Sequence, residues 1–592
     1  MDVSLQSVAD KDAFDVVVIG AGGAGMSAAL FAAMDGVRVL LVERTEYLGG
    51  TTALSAATSW VPLSEPGLAV DPSDSYEKAL EFLDRAVGAR APRALREAFL
   101  ANGHKAVARL EGGSHVQYQV RQLHPDYMTE LPGSVLRGRA IEPKPFDGRL
   151  LGRALKLIRP PIPEFTVLGG MMVDRDDIGH LLNVRKSFKS FRYAMRIIVR
   201  HQMDRLLHGR STRLVMGNAL IGRLLLSLRE HKVTIVTRCN VASLKTLSGP
   251  QGTTKVTGVV LEQDGVRRDV LVRGGAILAS GGFNRHPARR SEWLPGISPD
   301  WCPAAPGHTG SAQDLAVAVG ASYGATTTAA TPADESQVLS HAFWAPVSLR
   351  TRADGSVATF PHFVMDRGKP GMITVNQRGE RFVNESTSYH LFALAMQAAD
   401  RITPSIPAWL VCDAEALARY GLGMIRPGAK AGAGIAPYLA DGYLMRGETV
   451  AALAGMIGAE PVVLTATIER FNAAAELGVD ADFQRGSTDF QRANGDATRG
   501  MRNPCLGALR TGPYYAIRLY PGDIGAATGL RTDASGRVLD QRDQPIVGLY
   551  ACGNDMHSIM GGTYPAPGIT IGPGLTFAYL AAQDAVARST AG

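Results

Sequence analysis

The stretch FDVVVIGAGGAGMSAALFAAMDGVRVLLVERTEYLGGTT, residues 14–52, decides the fold of this 592-residue chain. Its apolar run from Val16 to Ile19 is what a buried parallel strand requires. In the Gly-x-Gly-x-x-Gly turn that follows, the first glycine makes the bend and the second lets the backbone approach a pyrophosphate, while the third lets the next helix pack close to the strand. These glycines are Gly20, Gly22 and Gly25.

A lone glycine pattern is a weak signal, but the residues that follow this one strengthen it. An alanine-rich helix is predicted from about Ala24 to Asp35, with its first amides facing the phosphates. The second strand is predicted over Val37 to Val42 and ends at Glu43, 23 residues after Gly20. A carboxylate at this distance accepts hydrogen bonds from a ribose. The strand, turn, helix and acid together predict a dinucleotide-binding site.

Three further glycine-rich segments favour FAD over NAD. Segment 49–52, GGTT, follows soon after the acid and would run along the pyrophosphate towards a flavin. Segments 275–283, GAILASGGF, and 548–555, GLYACGND, each read as a strand that ends in a turn. We therefore expect non-covalently bound FAD. Its predicted contacts are Gly20, Gly22, Ala24, Gly25, Glu43, Arg44, Gly50, Thr51, Thr52, Ser55, Ala279, Gly281, Gly553, Asn554, Gly568 and Ile571.

The late return to the cofactor site predicts a discontinuous domain in an α/β protein. The chain is too long for one ordinary core. Residues 1–283 are expected to form the first part of a Rossmann-like FAD domain, which an α+β substrate domain, residues 284–505, interrupts. Residues 506–592 would complete the FAD domain.

Composition and charge narrow the class of protein. The chain is 45% hydrophobic and 20% charged, and it has no apolar run long enough to span a membrane. Residues 1–15 lack the basic and apolar regions of a signal peptide, so we expect a cytoplasmic protein. The five cysteines have no metal-ligand spacing, and no metal site is expected. The net charge of +7 is local and does not indicate nucleic-acid binding.

The segment VNQRGERFVNESTSYHLFALAM, residues 375–396, points to a known family. Together with the glycine turns, it resembles the flavoprotein subunits of succinate dehydrogenase and fumarate reductase, and their relatives the 3-ketosteroid dehydrogenases. The resemblance covers nearly the whole chain. It implies a fumarate reductase-like fold, in which the substrate domain is inserted into the FAD domain.

The dicarboxylate reductases of this superfamily hold their substrate with arginines and a histidine, because guanidinium suits carboxylates. In that branch an arginine stands about five positions after the asparagine that matches Asn384, where this chain has Tyr389. Segment 522–530, GDIGAATGL, lacks the histidine of that branch, and segment 561–568, GGTYPAPG, lacks its other arginine. A dicarboxylate substrate is therefore disfavoured.

The ketosteroid Δ1-dehydrogenase branch is similar at three places. Its Tyr-Pro-x-Pro-Gly signature matches Tyr564 to Gly568, its tyrosine after Asn-Glu-Ser matches Tyr389, and its Pro-Asp-Tyr matches the segment ending at Tyr127. The resemblance implies removal of two hydrogens across C1–C2 of a 3-ketosteroid, a hydrophobic substrate. Flavin would accept the hydride, and an external electron acceptor would reoxidise it.

The same resemblance implies roles for four residues. Tyr564, through its phenol, and Gly568, through its backbone N–H, would donate to the ketone oxygen, which gains charge in the transition state. Tyr389 would take the C2 proton, coupled to Tyr127. A free phenol has a pKa of about 10, so Tyr389 needs help to act as a base.

Two residue assignments stay open at this point. Tyr118 lies close to Tyr127 in the sequence and is the alternative partner of the base. Phe343 and Trp344 either line an apolar substrate pocket or belong to the core.

A basic insertion covers about residues 160–214. Between Ile178 and Arg229 the lysines and arginines are opposed by a single acid, Asp204. Apolar residues recur at helical spacing within it, which is typical of a membrane-surface helix. Packing on its own domain and contact with a second copy are the alternatives. The apolar residues are Phe188, Phe191, Met195, Ile198, Val199, Met203 and Leu206.

Other functions stay open on the sequence. A 3-ketosteroid Δ4-(5α)-dehydrogenase would use the same chemistry at C4–C5, with the substrate shifted against the flavin. A fumarate reductase-like enzyme and a non-catalytic flavoprotein are more distant alternatives. The Tyr-Pro-x-Pro-Gly match favours the Δ1 enzyme.

Overall fold

The computed structural model describes residues 3–249, 252–324, 340–363, 366–429 and 434–591. Helices are spread along the whole of this range. They are Gly23–Met34, Glu65–Leu68, Tyr76–Val87, Arg93–Gly113, Arg175–Leu182, Phe188–His208, Met216–Glu230, Pro287–Trp293, Ser311–Ala318, Tyr389–Asp400, Ala414–Tyr420, Ala436–Ala440, Val450–Ile457, Pro461–Leu477, Asp489–Asn494 and Ile571–Ala591.

A mixed sheet lies at the centre of the predicted FAD domain. Among the described residues it contains eight strands, one of which, Asn240–Ser248, pairs beside Thr254–Gln263. The other seven follow the order Arg537–Leu539, Pro545–Ala551, Thr254–Gln263, Val266–Leu278, Asp12–Ile19, Val39–Val42 and Thr234–Val236.

Three strands of this sheet, Asp12–Ile19, Val266–Leu278 and Pro545–Ala551, run parallel to one another and end at one level. Ile19 lies opposite Leu278, and Leu278 lies opposite Ala551. The carboxyl ends of parallel strands are where ligands bind in open α/β sheets. The turns that follow these three residues therefore meet at one edge of the sheet.

The first helix of the sheet layer is buried along almost its whole length. Helix Gly23–Met34 starts one residue before its predicted start, and the strand after it begins at Val39 rather than at the predicted Val37. Its alanine-rich surface has no polar face, as expected for a helix covered all round. It packs against helix Ile571–Ala591, where the rings of Phe31 and Tyr579 meet edge to face.

A second, antiparallel sheet lies within the predicted substrate domain. Strand Tyr514–Ala526, from the segment predicted to complete the FAD domain, pairs in its centre. The domain limits stay predictions. The strands are, in order, Val357–Pro361, Ala342–Thr351, Tyr514–Ala526, Ala408–Asp413 and Met372–Val375, with Met445–Gly447 paired beside Tyr514–Ala526.

Two smaller sheets of short strands complete the described fold. Ser59–Trp60, Tyr118–Val120 and Ala140–Pro143 form one small sheet, and Phe146–Asp147 pairs with Arg213–Leu214. The helix predicted from the apolar spacing of the insertion is Phe188–His208. No described helix is long and apolar enough to cross a membrane.

The helix of the insertion packs through its less apolar face. Ala194, Ile197 and His201 are buried, whereas Phe188 and Leu206 are 79% and 82% exposed. Apart from Ile198, which packs with Met171, Val173 and Ile197, the apolar stripe is therefore not covered by the described part of the chain.

Candidate active site

One cavity of about 810 Å³ joins the glycine turns to the predicted catalytic residues. The three turns that meet at the edge of the first sheet form one part of its wall. All but one of the predicted FAD contacts line it. These are Gly20, Gly22, Ala24, Glu43, Arg44, Gly50, Thr51, Thr52, Ser55, Ala279, Gly281, Gly553, Asn554, Gly568 and Ile571.

Gly25 is the predicted contact that does not line the cavity. A Cβ at this position would stand 1.9 Å from the carbonyl oxygen of Gly20. Gly25 therefore serves the close packing of helix on strand that the third glycine of such turns provides. Gly22, by contrast, has open space where its Cβ would stand, which leaves room for a phosphate.

The carboxylate of Glu43 holds the first turn in place. Its oxygens accept hydrogen bonds of 2.9 Å from the amides of Ala21 and Thr45. A carboxylate has further acceptor sites, which suit ribose hydroxyls. The next residue, Arg44, donates to Thr309 and Ser311 at the start of another helix.

Two cofactor-site residues were missed by sequence reasoning. His308 lies beside Thr51, with Nε2 3.2 Å from the threonine oxygen, and its buried Nδ1 has no partner among the described residues. Burial lowers the pKa of His308 to about 4, so the ring is neutral. Arg159 lines the same wall and donates to Thr45 at 3.0 Å. An unpartnered imidazole nitrogen and a cation fit the polar middle of FAD. Both residues come from irregular loops, where no spacing signals them.

Three predicted tyrosines meet at the other end of the cavity. The phenol of Tyr127 donates to the phenol oxygen of Tyr389 at 3.3 Å. The ring centroid of Tyr564 is 5.1 Å from that of Tyr389 and 5.9 Å from that of Tyr127. The three tyrosines are far apart in the sequence, and only the folded chain brings them together.

Tyr389 is held by the start of a helix. It is the first residue of helix Tyr389–Asp400, whose N-cap Ser388 accepts from the amide of Leu391. The buried guanidinium of Arg367 donates to the carbonyl oxygens of Glu385 and Thr387 just before this helix. Arg367 therefore holds the main chain before Tyr389, and Ser388 caps the helix that Tyr389 begins.

Tyr127 is held by the residue before it and by the C-terminal loop. Asp126 is buried and accepts from Trp60 at 2.8 Å and from Arg139 at 3.1 Å. The amide of Tyr127 itself donates to the carbonyl oxygen of Pro565 at 2.8 Å. The segments that carry Tyr127 and Tyr564 are thus joined by a main-chain hydrogen bond.

Gly568 has the backbone that its predicted role needs. Its φ is +89°, and a Cβ would stand 2.4 Å from the carbonyl oxygen of Thr58, so only glycine fits. Its carbonyl accepts from Trp60, whereas its own N–H has no acceptor among the described residues. An uncommitted amide in the cavity wall is free to bind a ligand.

The phenols of this cluster are protonated at neutral pH. Burial raises the pKa of all three phenols. Both neighbouring phenols raise the pKa of Tyr389 further, whereas for Tyr127 the charge of Tyr564 raises the pKa and the hydrogen bond with Tyr389 lowers it. A protonated Tyr564 is a hydrogen-bond donor. Tyr389, by contrast, has to lose a proton before it accepts one.

The two open assignments have different positions. Tyr118 is buried outside the cavity wall, 2% exposed. Phe343 lines the cavity and lies 5.3 Å from Tyr564 between ring centroids. Trp344, the next residue of the strand, points into the core and donates to Ser340.

The chain matches the family described as FAD binding domain over residues 15–571. It is 33% identical to 3-oxosteroid 1-dehydrogenase of Mycolicibacterium smegmatis, over 98% of both chains. It is also 34% identical to 4-oxocyclohex-2-ene-1-carboxylate 5-dehydrogenase of Sinomonas cyclohexanicum, over 97% of this chain and 94% of the relative.

The chain belongs to the FAD-binding flavoproteins that include the 3-oxosteroid 1-dehydrogenases. It is an FAD-dependent oxidoreductase. The crystal structure of 3-ketosteroid delta1-dehydrogenase from Sterolibacterium denitrificans in complex with 1,4-androstadiene-3,17-dione is similar, with a TM-score of 0.87 and 30% identity over 97% of this chain and 100% of that one. The family, the cofactor and the interrupted α/β fold predicted from the sequence are thereby confirmed.

Proposed function

We propose that this flavoenzyme introduces a C1–C2 double bond into 3-ketosteroids. The observation that carries the proposal is the meeting of Tyr389, Tyr564 and the uncommitted amide of Gly568 at one end of the cavity that the FAD turns line. This arrangement supplies two donors for a ketone oxygen and one acceptor for a proton.

Tyr564 and Gly568 would bind the ketone oxygen. Burial raises the pKa of Tyr564, so its phenol stays protonated and donates. Donors fixed in advance at a developing oxyanion each contribute about 3–4 kcal/mol in other enzymes. Polarisation of the carbonyl makes the protons on C2 acidic.

Tyr389 would take the proton from C2. Its phenol oxygen accepts from Tyr127 at 3.3 Å, and this hydrogen bond orients the phenol. When bound, FAD supplies the acceptor for the hydride that leaves C1. Each turnover removes two electrons from the ketone, and the proposal therefore includes an external electron acceptor.

The walls around the phenols suit a hydrophobic ring system. Phe343, Phe363 and Phe490 line this end of the cavity. Phe363 packs edge to face on Tyr389, and Phe490 lies against Tyr127. Apolar walls with a few convergent polar groups are typical of small-molecule sites.

The proposal is tested by anaerobic reduction of the purified yellow enzyme with a 3-keto-4-ene steroid. Bleaching of the flavin, together with a product shown by mass and NMR to contain a C1–C2 double bond, is the expected result. Bleaching by 5α-saturated ketones alone, with desaturation at C4–C5, would favour a Δ4-(5α)-dehydrogenase. No bleaching by any ketosteroid would exclude ketosteroids as substrates.

FAD is proposed to be bound without a covalent link. Acid precipitation of the enzyme should then leave all of the yellow colour in the supernatant. Flavin that stays with the precipitated protein would contradict this part of the proposal.

The exposed stripe of helix Phe188–His208 is proposed to contact the inner face of the cell membrane. Seven apolar side chains of this helix are exposed, and lysines and arginines flank them. Basic amphipathic helices bind surfaces of anionic lipid, where a water-insoluble ketone would also be found. The exposed apolar residues are Phe188, Phe191, Met195, Val199, Met203, Leu206 and Leu207.

Co-sedimentation with vesicles of phosphatidylglycerol and phosphatidylcholine tests this contact. Phe188→Ser with Leu206→Ser should reduce the bound fraction. Ile402→Ser with Val462→Ser is the matched control, because these side chains are 88% and 82% exposed elsewhere on the surface. Equal binding by both double variants would contradict the membrane contact, as would a stripe found buried between two copies by analytical ultracentrifugation.

A further inference from the structure

An arginine without a partner lines the tyrosine end of the cavity. Arg175 begins helix Arg175–Leu182 in the basic insertion, and its side chain is part of the cavity wall. Within the described part of the chain it forms no hydrogen bond and no ion pair. No sequence pattern singled out Arg175.

The acidic side chains around Arg175 already have cationic partners. His124, on the same wall, is neutral because burial lowers its pKa to about 4. None of these groups forms an ion pair with Arg175, although the charges of Glu142 and Asp176 act to raise its pKa. The pairs are Asp174 with Arg213 at 3.5 Å, Asp177 with Arg213 at 2.7 Å, Glu142 with Arg121 at 2.8 Å and Asp176 with Arg121 at 3.6 Å.

Arg175 lies on the substrate side of the cavity rather than along the FAD turns. Burial raises the pKa of the Tyr127 phenol, and the charge of Arg175 is close enough to oppose this rise. Burial lowers the pKa of Arg175 itself, and the charge of Arg121 adds to this effect. The side chain is nevertheless exposed, so its guanidinium is open to a ligand that enters the cavity.

Besides these polar residues, the insertion and its neighbours contribute apolar side chains to the cavity wall. A ligand that fills this part of the cavity would therefore be apolar over most of its length and anionic at one place. The apolar lining residues are Leu123, Ile162, Phe165, Val173 and Ile178.

We propose that Arg175 binds a carboxylate of the substrate, so that the preferred ketone is a cyclic keto acid rather than a neutral ketone. The inference rests on the proposed function, because Tyr564 and Gly568 define where the ketone lies. A guanidinium binds the two oxygens of a carboxylate with parallel hydrogen bonds. The Arg175 side chain is exposed in the structure, and a neutral ligand that covered it would remove the cation from water without giving it a partner.

The experiment compares a 3-keto-4-ene steroid whose side chain ends in a carboxylic acid with its methyl ester. Both have the same ring system, and only one carries the charge. The kcat/KM of each is measured with the FAD-loaded enzyme and an artificial electron acceptor. The variants are Arg175→Gln, Arg175→Lys and Arg185→Gln. Arg185 is exposed in the same insertion, does not line the cavity and gives the matched change of charge.

Wild type should prefer the acid, and Arg175→Gln should lower the acid-to-ester ratio of kcat/KM about 10- to 100-fold, as expected for a hydrogen-bonded charged pair. Arg175→Lys keeps the charge without the planar fork and should give an intermediate ratio. Arg185→Gln should keep the wild-type ratio.

Three results would overturn the inference. Equal losses for acid and ester in Arg175→Gln would mean that Arg175 acts through its charge on the tyrosines. Loss of flavin from Arg175→Gln would assign the residue to the cofactor. A wild type that uses the ester as well as the acid would leave the carboxylate without a role. If neither compound reduces the flavin, the proposed function fails, and dissociation constants of acid and ester from equilibrium dialysis decide on the anion site.

Discussion

The amide of Tyr127 donates a hydrogen bond of 2.8 Å to the carbonyl oxygen of Pro565. This bond joins the segment before Tyr127 to the loop that carries Tyr564, although more than 400 residues separate them. Two phenols of the cluster are therefore set by one main-chain contact. The third, Tyr389, is set independently by the start of its helix.

Tyr564→Phe should remove one of the two donors to the ketone. The loss of a single donor of this kind costs about 100- to 1,000-fold in rate in other enzymes. The rate of anaerobic flavin reduction by ketosteroid should fall by this amount, with the flavin still bound. Tyr118→Phe is the matched control, since Tyr118 is a buried phenol outside the cavity wall. A Tyr118→Phe enzyme as slow as Tyr564→Phe would contradict the assignment.

With Tyr389 as the base, kcat/KM should increase as pH rises into the alkaline range. Burial raises its pKa above the ordinary value, and the neighbouring phenols raise it further. The phenolate fraction therefore increases as pH rises and does not level off below about pH 10, the pKa of a free phenol. We expect kcat/KM to rise steadily from pH 7 to pH 9.5.

Tyr389→Phe should abolish this rise and lower kcat/KM about 100- to 10,000-fold, as for the loss of a general base. The measurement is the pH profile of kcat/KM for both enzymes at constant ionic strength. A wild-type profile that is flat over this range would assign the proton to another group.

Gly568→Ala should impair both the reaction and the binding of FAD. The new Cβ would meet the carbonyl oxygen of Thr58 at 2.4 Å, so the loop has to shift. A displacement of about 1 Å at a catalytic group costs about 100-fold. Gly428→Ala is the control for backbone strain without a clash. Gly428 also has a positive φ, +86°, but nothing lies within 4 Å of the place where a Cβ would stand. Similar kcat/KM values for the two variants would contradict a role for Gly568 in the site.

The parts of the site that follow from local pattern were predictable from the sequence. The turns after Ile19 and Leu278 follow apolar strands, and parallel strands bring such turns to one edge. The tyrosines could be chosen only through the family signatures, because no local pattern distinguishes Tyr127 from Tyr118. Their positions depend on contacts such as that of Tyr127 with Pro565.

Other parts could not be predicted, for identifiable physical reasons. Phe343 and Trp344 alternate along a strand, so that only one of them faces the cavity. The alternation was visible in the sequence, but which face is the cavity was not. His308 lies in an irregular loop, and no local pattern distinguishes Arg175 from a solvated surface arginine. Their environment depends on the tertiary structure.

Buried neutral histidines should make the folded enzyme sensitive to acid. Burial lowers the pKa of His124, His308 and His557 to about 4 and that of His390 to about 3. In the unfolded chain each takes up a proton near pH 6.5. Because the lowered value belongs to the folded state, this stability is complete above about pH 6.5 and is lost as pH falls towards 4.

The free energy of unfolding in urea, measured at steps between pH 7.5 and pH 5, should decrease by about 1.4 kcal/mol per pH unit for each such histidine. His390→Asn removes one of these groups and should make the decrease less steep. It also removes the acceptor for the amide of Trp344, and the comparison therefore uses the slope and not the absolute stability. His231→Asn, at an exposed position, should leave the slope as in the wild type. Equal slopes for wild type and His390→Asn would show that His390 is protonated in the folded enzyme.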